Sequence, residues 1–503
     1  MDSQIFTNKY IKNILGHYQD IWAILQLCTL ASWDGEVYMP ISGAKYRGMA
    51  MGKAQTLIQS LITNREFKEW IELAQEEDLN IYEKALIRVL KREMLAYEKL
   101  PKDFLEEYER AVSISQIVWR EAREQKNFAV FERDLENIII LNKKKAHYLN
   151  SSTDPYDTLL DIFEEGLSTS FLDEYFKKVL TISKKLREEV QERQGDVYDN
   201  LLTELPYKIS KIKKLNTSIL NYFGYDKDRL RLDSSTHPFS EGLSTDDVRI
   251  TTRYEGKDFA KCLSSTIHEF GHALYSLQHN PELNTTSLFT NSSLGIHESQ
   301  SRFFENIIGR SKAFIEKNID NFHMLGENYI NFEVEDYYKY FNLVKPGFIR
   351  VEADEITYHT HIYIRYQIEK ELIAGTLAVS DLPGRWNGLY EEHLGVRPTN
   401  DAEGCLQDIH WSMGAIGYFP TYSVGTVFAS QFTEKLEAEI GNVDMLILEE
   451  SGIEKIKKWL AENIHQYGAT YTLDQLANRL TGNGLSTIPW ERYLNEKYRS
   501  RNV

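Results

Sequence analysis

Apolar residues recur at three- and four-residue spacing along almost all of this 503-residue chain, and this periodicity limits the fold more than any other feature. The pattern predicts helices at residues 18–30, 44–63, 82–97, 104–126, 128–150, 171–195, 263–278, 296–311, 336–345, 351–377, 429–440 and 455–467. Residues 229–254 instead alternate β-branched and polar residues between Ser, Gly and Asp, which predicts short strands. The expected fold class is therefore mainly α, with a small β-hairpin or sheet directly before the helix at 263–278.

The composition indicates one continuous globular protein. Apolar residues make up 42% and charged residues 26%, and only 11 prolines interrupt the chain. The sequence contains no internal repeat, no low-complexity segment and no Gly/Ser- or Pro-rich linker. We therefore expect a single large helical domain over residues 1–503.

Charge and cysteine usage exclude several classes of protein. The net charge is −17 without a basic stripe, so a nucleic-acid partner is not expected. Cys28, Cys262 and Cys405 form no C-x-x-C pair, which argues against a disulfide framework or a cysteine zinc site. Residues 1–16 lack the pattern of a secretory signal, and the longest apolar stretch, 21–33, is too short to cross a bilayer. The sequence predicts a cytoplasmic protein without a membrane partner.

Residues 268–272 have the sequence HEFGH within the predicted helix at 263–278. A helix places residues four apart on one face, so His268 and His272 can offer two imidazoles to one metal ion. Glu269 lies about 100° round the helix, where it can hold a water molecule without ligating the metal. This arrangement is typical of zinc hydrolases. The alternative is a buried helix with two hydrogen-bonded core histidines.

A catalytic zinc usually takes a third protein ligand. The extended motif that ends in a third histidine is excluded, because Tyr275 and Gln278 occupy the positions of its glycine and histidine. The other source is a glutamate of a second helix, and Glu298 lies in the first turns of a predicted helix in the segment 295–306. Glu298 is the candidate ligand, and Glu305 on the same face is a candidate to orient the ligands. The alternative for Glu298 is a helix-start acid favoured by the helix dipole.

Further motifs carry a resemblance to a known family. In chain order they are ASWDGEVYMP (31–40), HPF (237–239), DVRIT (247–251), HEFGH (268–272), HESQ (297–300), IRVEAD (349–354), GCLQDIHW (404–411) and GYFPTYSVG (417–425). Together they resemble the thermostable carboxypeptidase Taq family of metallocarboxypeptidases, over nearly the full chain and without a departure at a charged or metal-ligating motif position. The resemblance implies metal ligation by His268, His272 and Glu298, with Glu269 as the general base.

The resemblance also implies an architecture and an activity. The expected fold is a large two-lobed helical peptidase with a deep central cleft, in which helices of about residues 1–200 form a wall or lid. The metal and substrate motifs would lie in 237–425. A member of this family is expected to be a homodimer with one divalent metal ion per subunit, Zn²⁺ or Co²⁺. It would remove single C-terminal amino acids from peptides with broad specificity.

A carboxypeptidase must bind a free carboxylate, and a bidentate guanidinium does this best. Arg350 precedes acids at 352–355, on the start of a predicted helix, that can hold it while two N–H groups remain for substrate. The alternative is a structural salt bridge. The resemblance favours Arg350 as the carboxylate ligand. Arg249 is the second candidate, or a residue that orients Asp247.

Peptide hydrolysis builds negative charge on the carbonyl oxygen, where one hydrogen-bond donor is worth about 3–4 kcal/mol. His410, with Tyr418 or Tyr422, is the candidate donor, and core packing is the alternative for each tyrosine. His237 is a candidate substrate contact or a loop residue. In the predicted reaction, water activated by the metal attacks the peptide bond, and Glu269 moves its proton to the leaving amine.

Two other functions fit the same residues. An endo-oligopeptidase or a dipeptidyl carboxypeptidase would use the same metal chemistry, but it would differ in product length and in its need for a free carboxylate. A helical metal-binding scaffold would hold the metal at unit stoichiometry without hydrolysing peptides.

Overall fold

Helices form most of the residues that the computed structural model describes, which are 5–194, 202, 205–254 and 258–499, without the side chains of Ile41 and Gln194. The chain divides into two compact units, each built from three segments. The first unit comprises Met1–Glu98, Asn200–Phe341 and Phe432–Gly484, and the second comprises Lys99–Asp199, Asn342–Gln431 and Leu485–Val503. The single domain over 1–503 stays a prediction.

The helices follow this division. Those of the first unit are Lys9–Val37, Ala44–Ile62, Arg65–Gln75, Ile81–Lys99 (up to Glu98), Ile209–Tyr222, Phe259–Leu277, Ser287–Thr290, Leu294–Arg302, Lys312–His323, Val334–Phe341, Val443–Leu448, Gly452–Asn463 and Leu473–Thr481. Those of the second unit are Lys102–Gln125, Glu132–Leu149, Pro155–Phe163, Thr169–Gln194, Tyr358–Ala374, Leu382–Leu394 and Ile488–Arg499. The helix Pro420–Ile440 has residues in both units. The prediction of a mainly helical protein is confirmed.

The helix Lys9–Val37 illustrates why the predicted periodicity becomes a helix. Asn8 is its N-cap, and the Asn8 side-chain oxygen accepts hydrogen bonds from two backbone N–H groups of the first turn. Ile11, Ile14 and Tyr18 lie at helical spacing and are buried in the apolar core of the first unit. Capping and burial of one face thus act together to form this helix.

A three-stranded sheet lies beside the helix that carries the HEFGH motif. Its strands are β1 (Leu230–Ser234), β2 (Ser240–Ser244) and β3 (Asp247–Thr252), in the order β1-β3-β2. β2 and β3 form an antiparallel hairpin, whereas β1 pairs with β3 in parallel. A Cβ atom on Gly242 of β2 would lie 2.7 Å from the Ser276 hydroxyl oxygen, so the strand packs directly on the helix. The predicted sheet beside this helix is confirmed.

The helix predicted at 351–377 begins later than expected, at Tyr358. The carboxylate of Asp354 accepts hydrogen bonds from the backbone N–H groups of Ile356 and Thr357. These hydrogen bonds stabilise a turn at residues 354–357, a role that aspartate side chains often have. The acids expected on the first helical turn therefore lie before the helix, and this part of the prediction was wrong.

Other predicted boundaries also differ from the observed ones. The helix predicted at 296–311 is α-helical only to Arg302 and continues as a π-helix, Phe303–Ile308. The helix predicted at 18–30 is longer at both ends, Lys9–Val37, and those predicted at 44–63, 82–97 and 104–126 differ by one or two residues at their ends. The predictions at 128–150, 336–345, 429–440 and 455–467 correspond to Glu132–Leu149, Val334–Phe341, Pro420–Ile440 and Gly452–Asn463. The prediction at 171–195 ends on a residue outside the described part of the chain.

Two predictions from composition can be compared with the structure. All three cysteines are free and buried, so the prediction of no disulfide is confirmed. None of the described helices combines the length and the apolarity that a bilayer crossing requires. Burial raises the pKa of the Cys28 and Cys405 thiols, which keeps them protonated and unreactive.

Candidate metal centre and substrate residues

The helix Phe259–Leu277, here called the motif helix, carries His268, Glu269 and His272. It begins before residue 263, where the sequence pattern placed its start, and it includes the whole motif. The ring centroids of the two histidines are 4.8 Å apart, as expected for residues one helical turn apart on a single face. The motif helix thus presents both imidazoles in one direction.

The helix Leu294–Arg302, here called the second metal helix, lies against the motif helix at Gly271. A Cβ atom at this glycine would lie 2.5 Å from the Gln300 carbonyl oxygen and 2.6 Å from the Ser301 Cα atom. No side chain fits in that space, so the glycine of HEFGH allows the two backbones to come into contact. This close approach brings Glu298 to the two histidines.

His268, His272 and Glu298 form a group that fits a metal ion. The Nε2 atoms of His268 and His272 lie 3.7 Å and 3.5 Å from Oε2 of Glu298, and the three donor atoms lie within 4.8 Å of one another. Ligands about 2.1 Å from a tetrahedral zinc ion are separated by about 3.4 Å, so the donors need only small movements. Within the described part of the chain, no other three His, Cys, Asp or Glu side chains gather in this way.

The second nitrogen of each imidazole is held by the protein. Nδ1 of His268 is 2.9 Å from Oε2 of Glu305, and Nδ1 of His272 is 3.1 Å from the backbone carbonyl oxygen of His297. Each Nδ1 can therefore donate a hydrogen bond while Nε2 faces Glu298, which is the tautomer that a metal ligand requires. Glu305 lies where the sequence suggested an orienting residue, whereas the His297 carbonyl was not foreseen.

Two arginines that sequence reasoning missed neutralise the carboxylates. Arg302 donates from Nε to Glu298 Oε1 at 2.6 Å and from Nη1 to Glu305 Oε2 at 3.2 Å, and Arg310 donates to Glu305 Oε1 at 2.8 Å. Burial alone would raise the pKa of both glutamates, but Arg302 and the neighbouring histidines hold it well below the usual range. Arg302 follows Glu298 by four residues, and this helical spacing was the available sequence signal.

Glu269, on the motif helix, lies in a different electrostatic environment from Glu298 and Glu305. Its side chain is buried, with a relative exposure of 6%. Burial raises its pKa to about 7, with the positive charge of His268 acting in the opposite direction and Glu298 adding to the rise. A carboxyl group that titrates near neutral pH can both accept and return a proton under physiological conditions.

Arg350 lies in the second unit and is buried, with a relative exposure of 6%. It donates from Nε and Nη2 to Asp408 Oδ1, at 3.1 and 2.9 Å, and from Nη1 to the Tyr358 hydroxyl at 3.2 Å. These bonds use three of the five guanidinium N–H groups. The sequence predicted that the acids at 352–355 hold Arg350, and this was wrong, because Asp408 does so.

Arg365 is a second arginine on the same carboxylate, and no sequence signal pointed to it. It donates from Nε to Asp408 Oδ2 at 2.6 Å and from Nη2 to Gln407 Oε1 at 2.7 Å. Burial would raise the pKa of Asp408, but Arg350 and Arg365 lower it far more. We call Arg350, Arg365 and Asp408 the arginine cluster. With two cations and one anion, these three residues have a net charge of +1.

His410, Tyr418 and Tyr422, the predicted hydrogen-bond donors to the carbonyl oxygen, lie in the second unit near Arg350. His410 Nε2 is 3.1 Å from the Tyr422 hydroxyl, and the His410 ring centroid lies 5.3 Å from that of Tyr418. The guanidinium carbon of Arg350 stands 4.9 Å from the centre of the Tyr422 ring. Burial lowers the pKa of His410 to about 3, so its imidazole is neutral near pH 7.

The remaining candidates, Arg249 and His237, belong to the first unit. Arg249 holds Asp247 through two hydrogen bonds of 2.9 Å, and its guanidinium carbon lies 4.8 Å from the centre of the Trp33 ring. His237 is exposed in the connection between β1 and β2. Arg249 thus has the contact with Asp247 that the sequence suggested as one of its two roles.

A helical chain in which HEFGH and a glutamate of a second helix could hold a metal ion is typical of a metallopeptidase. The chain belongs to the carboxypeptidase Taq (M32) metallopeptidase family, whose model matches residues 11–498. It is 40% identical to thermostable carboxypeptidase 1 of Pyrococcus furiosus, over 98% of this chain and 99% of that protein. It is 36% identical to carboxypeptidase 1 of Bacillus subtilis, over 96% of each.

A solved structure of the Pyrococcus furiosus carboxypeptidase is similar to the whole molecule. Its TM-score is 0.95 at 39% identity, covering 98% of this chain and 100% of that chain. The protein is therefore a metallocarboxypeptidase, a peptide hydrolase that depends on a divalent metal ion.

Proposed function

We propose that the enzyme removes single C-terminal amino acids with broad specificity, using one metal ion per subunit, Zn²⁺ or alternatively Co²⁺. His268, His272 and Glu298 would hold the ion. The proposal depends on one observation, the three donor atoms within 4.8 Å of one another directly beside Glu269. A divalent cation bound there would polarise the scissile carbonyl group and lower the pKa of a water molecule.

Glu269 is the proposed general base. With a pKa of about 7 before a cation binds, it can take a proton from the attacking water molecule. The same carboxyl group would then pass the proton to the leaving amine. His268 and Glu298 are fixed by Glu305 and Arg302, so Glu269 acts next to ligands that are held in place before substrate binds.

Arg350 is the proposed ligand of the substrate carboxylate. Its bonds to Asp408 and Tyr358 leave one N–H group on each terminal nitrogen, which suits a two-oxygen acceptor. The net positive charge of the arginine cluster favours an anion. We assign Arg249 and His237 further contacts to substrate.

His410 is the proposed hydrogen-bond donor to the developing negative charge on the carbonyl oxygen, together with Tyr418 or Tyr422. A neutral imidazole bonded to the Tyr422 hydroxyl supports this assignment, since a neutral donor adds no net charge before the reaction.

The test is product analysis by mass spectrometry with a peptide that has a free C-terminus and with its amidated form. We expect stepwise loss of single residues from the free peptide, no reaction after metal removal, and recovery on adding Zn²⁺ or Co²⁺. Internal cleavage would identify an endopeptidase, and release of dipeptides a dipeptidyl carboxypeptidase. Stoichiometric metal without turnover would identify a scaffold.

A homodimer and a cytoplasmic location stay predictions from the sequence. Light scattering of the purified protein tests the first. A dimer has twice the chain mass of 58.6 kDa, whereas a monomer at micromolar concentration contradicts the prediction.

A further inference from the structure

The segment His465–Thr470, here called the histidine clasp, links the motif helix to the second metal helix in the first unit. These two helices are together called the two metal helices. His465 is fully buried, with a relative exposure of 0%. Its Nδ1 atom lies 2.7 Å from the side-chain oxygen of Gln278, which ends the motif helix. Its Nε2 atom lies 2.8 Å from the side-chain oxygen of Gln300 on the second metal helix. A neutral imidazole donates one hydrogen bond, here from Nε2–H to Gln300, while Nδ1 accepts from the NH2 group of Gln278 with its amide turned round. One imidazole therefore bridges both helices.

Further contacts fix the clasp in place. The Tyr275 hydroxyl of the motif helix donates to the Gly468 carbonyl oxygen at 3.2 Å, and the backbone N–H of Asn280 donates to the Gln466 carbonyl oxygen at 3.3 Å. Gly468 has a φ of 49°, and a Cβ atom there would lie 2.5 Å from the Leu288 carbonyl oxygen. The clasp can fit this narrow space only with glycine at this position.

The position of Gln300 connects the clasp to the metal ligands. Gln300 follows Glu298 by two residues, and its backbone carbonyl is the group that approaches Gly271 most closely. Its side chain also donates to the Ser299 hydroxyl at 2.8 Å. A bond from His465 to Gln300 therefore fixes the second metal helix along the motif helix at the level where Glu298 meets the two histidines.

We propose that His465 is a positioning residue that sets the separation of the two metal helices and thereby the affinity and geometry of the metal site. It contacts neither metal ligand directly and acts through Gln300 and Gln278. The proposal rests on the proposed ligands His268, His272 and Glu298. Residues that orient metal ligands from behind typically contribute about 10- to 100-fold to metal affinity.

The first test replaces His465 by phenylalanine, which keeps an aromatic ring and removes both hydrogen bonds. Competition of metal-free protein with a chromophoric chelator measures the Zn²⁺ Kd. The visible spectrum of the Co²⁺ form reports ligand geometry independently of turnover. We expect a Kd about 10- to 100-fold higher and a changed Co²⁺ spectrum. A wild-type Kd and an unchanged spectrum would overturn the proposal.

A double variant separates positioning from general stability. His465→Phe leaves the buried side-chain oxygen of Gln300 without its histidine partner, which destabilises the fold as well as the site. In His465→Leu with Gln300→Leu, both polar groups are absent, so thermal stability should largely return while the bridge stays missing. The proposal requires metal binding to remain weak in this variant. Recovery of affinity together with stability would show a purely structural role.

Two controls complete the design. His465→Gln offers both a donor and an acceptor, so it should recover part of the lost affinity. His359→Phe replaces an equally buried histidine of the second unit, which is bonded to Ser423, and should lower stability without changing the Zn²⁺ Kd. An equal rise in Kd in both phenylalanine variants would overturn the proposal.

The ligand assignment itself is tested by Glu298→Ala. If this variant keeps stoichiometric metal, the proposed metal site is wrong. If Glu298→Ala loses the metal and His465→Phe binds it normally, only the role of His465 is wrong.

Discussion

The metal centre and the arginine cluster are both buried groups of charges, and they are unbalanced in opposite directions. At the metal centre, Glu298 and Glu305 are matched by two arginines, and Glu269 adds a further carboxyl group. In the arginine cluster, two guanidinium groups share the single carboxylate of Asp408. One group therefore favours a cation and the other an anion.

This difference indicates function because burying an uncompensated charge is unfavourable by several kcal/mol. Each of these groups can be stabilised by a charge from outside the protein, positive at the metal centre and negative at the arginine cluster. In the proposed function these charges are the metal ion and the carboxylate of the substrate.

The largest expected effect on activity concerns the metal centre. Glu269→Gln should lower kcat by about 10²- to 10⁴-fold, because it removes the general base. Bound metal should stay at the wild-type level, since Glu269 is not a ligand, whereas Glu298→Ala should lose metal and activity together. Elemental analysis combined with steady-state kinetics distinguishes these cases. A near wild-type kcat for Glu269→Gln would show that another group is the base.

The next largest effect on activity concerns the arginine cluster. Arg350→Ala should lower kcat/KM for peptides with a free C-terminus by about 30-fold to several-thousand-fold, since losing a buried charge-assisted pair costs about 2–5 kcal/mol. Amidation of the peptide should produce a similar loss in the wild type and no further loss in the variant. Arg350→Lys should retain more kcat/KM than Arg350→Ala but less than the wild type, because a point charge cannot replace the planar guanidinium group.

Arg249→Ala is the comparison variant for this prediction, because Arg249 is the second candidate for the carboxylate ligand. It removes a guanidinium group that a single aspartate already holds. If Arg249→Ala abolishes the preference for a free C-terminus and Arg350→Ala does not, the carboxylate ligand is Arg249.

A third prediction uses the raised pKa of Glu269 in metal-free protein. Because its pKa rises from 4.5 unfolded to about 7 folded, ionisation destabilises the fold. The penalty is absent below pH 4.5, grows between pH 4.5 and 7, and reaches the order of 3 kcal/mol above pH 7. Metal-free Glu269→Gln should therefore gain stability relative to wild type at pH 8 and not at pH 4.5. Urea unfolding at both pH values measures this, and an equal difference at both would contradict it.

The smallest expected effect concerns the contact between the two metal helices. Gly271→Ala forces them apart and should lower the free energy of unfolding by about 1–3 kcal/mol while weakening metal binding. Gly52→Ala is the matched control, because a Cβ atom on this exposed helical glycine meets nothing within 4 Å. That control should gain up to about 1 kcal/mol from helix propensity. Equal changes in denaturation and metal affinity for both variants would show that the contact is unimportant.

The two groups also differ in how far the sequence could predict them. His268, His272 and Glu305 could be placed because helical spacing determines which residues share a face. The partner of Arg350 could not be predicted, because Asp408 is 58 residues away along the chain and contacts Arg350 only in the folded protein. Arg365 was missed for the same reason, with a separation of 43 residues from that aspartate.

The small sheet shows a similar limit. Local alternation predicted strands over 229–254, but the parallel pairing of β1 with β3 depends on the connection that carries residues 235–239. The start of the helix Tyr358–Ala374 was mispredicted because the Asp354 side chain competes with the helix for backbone N–H groups.

The buried free cysteines make it possible to follow the opening of each group separately in the unlabelled protein. Cys262 lies on the motif helix, and Cys405 lies three residues before Asp408. A thiol reagent modifies a buried cysteine only when the surrounding structure opens. The modification rate at Cys262, read by peptide mapping, therefore reports local unfolding around the metal helices, and the rate at Cys405 reports local unfolding around the arginine cluster. The two cysteines therefore report separately on the metal centre and on the arginine cluster.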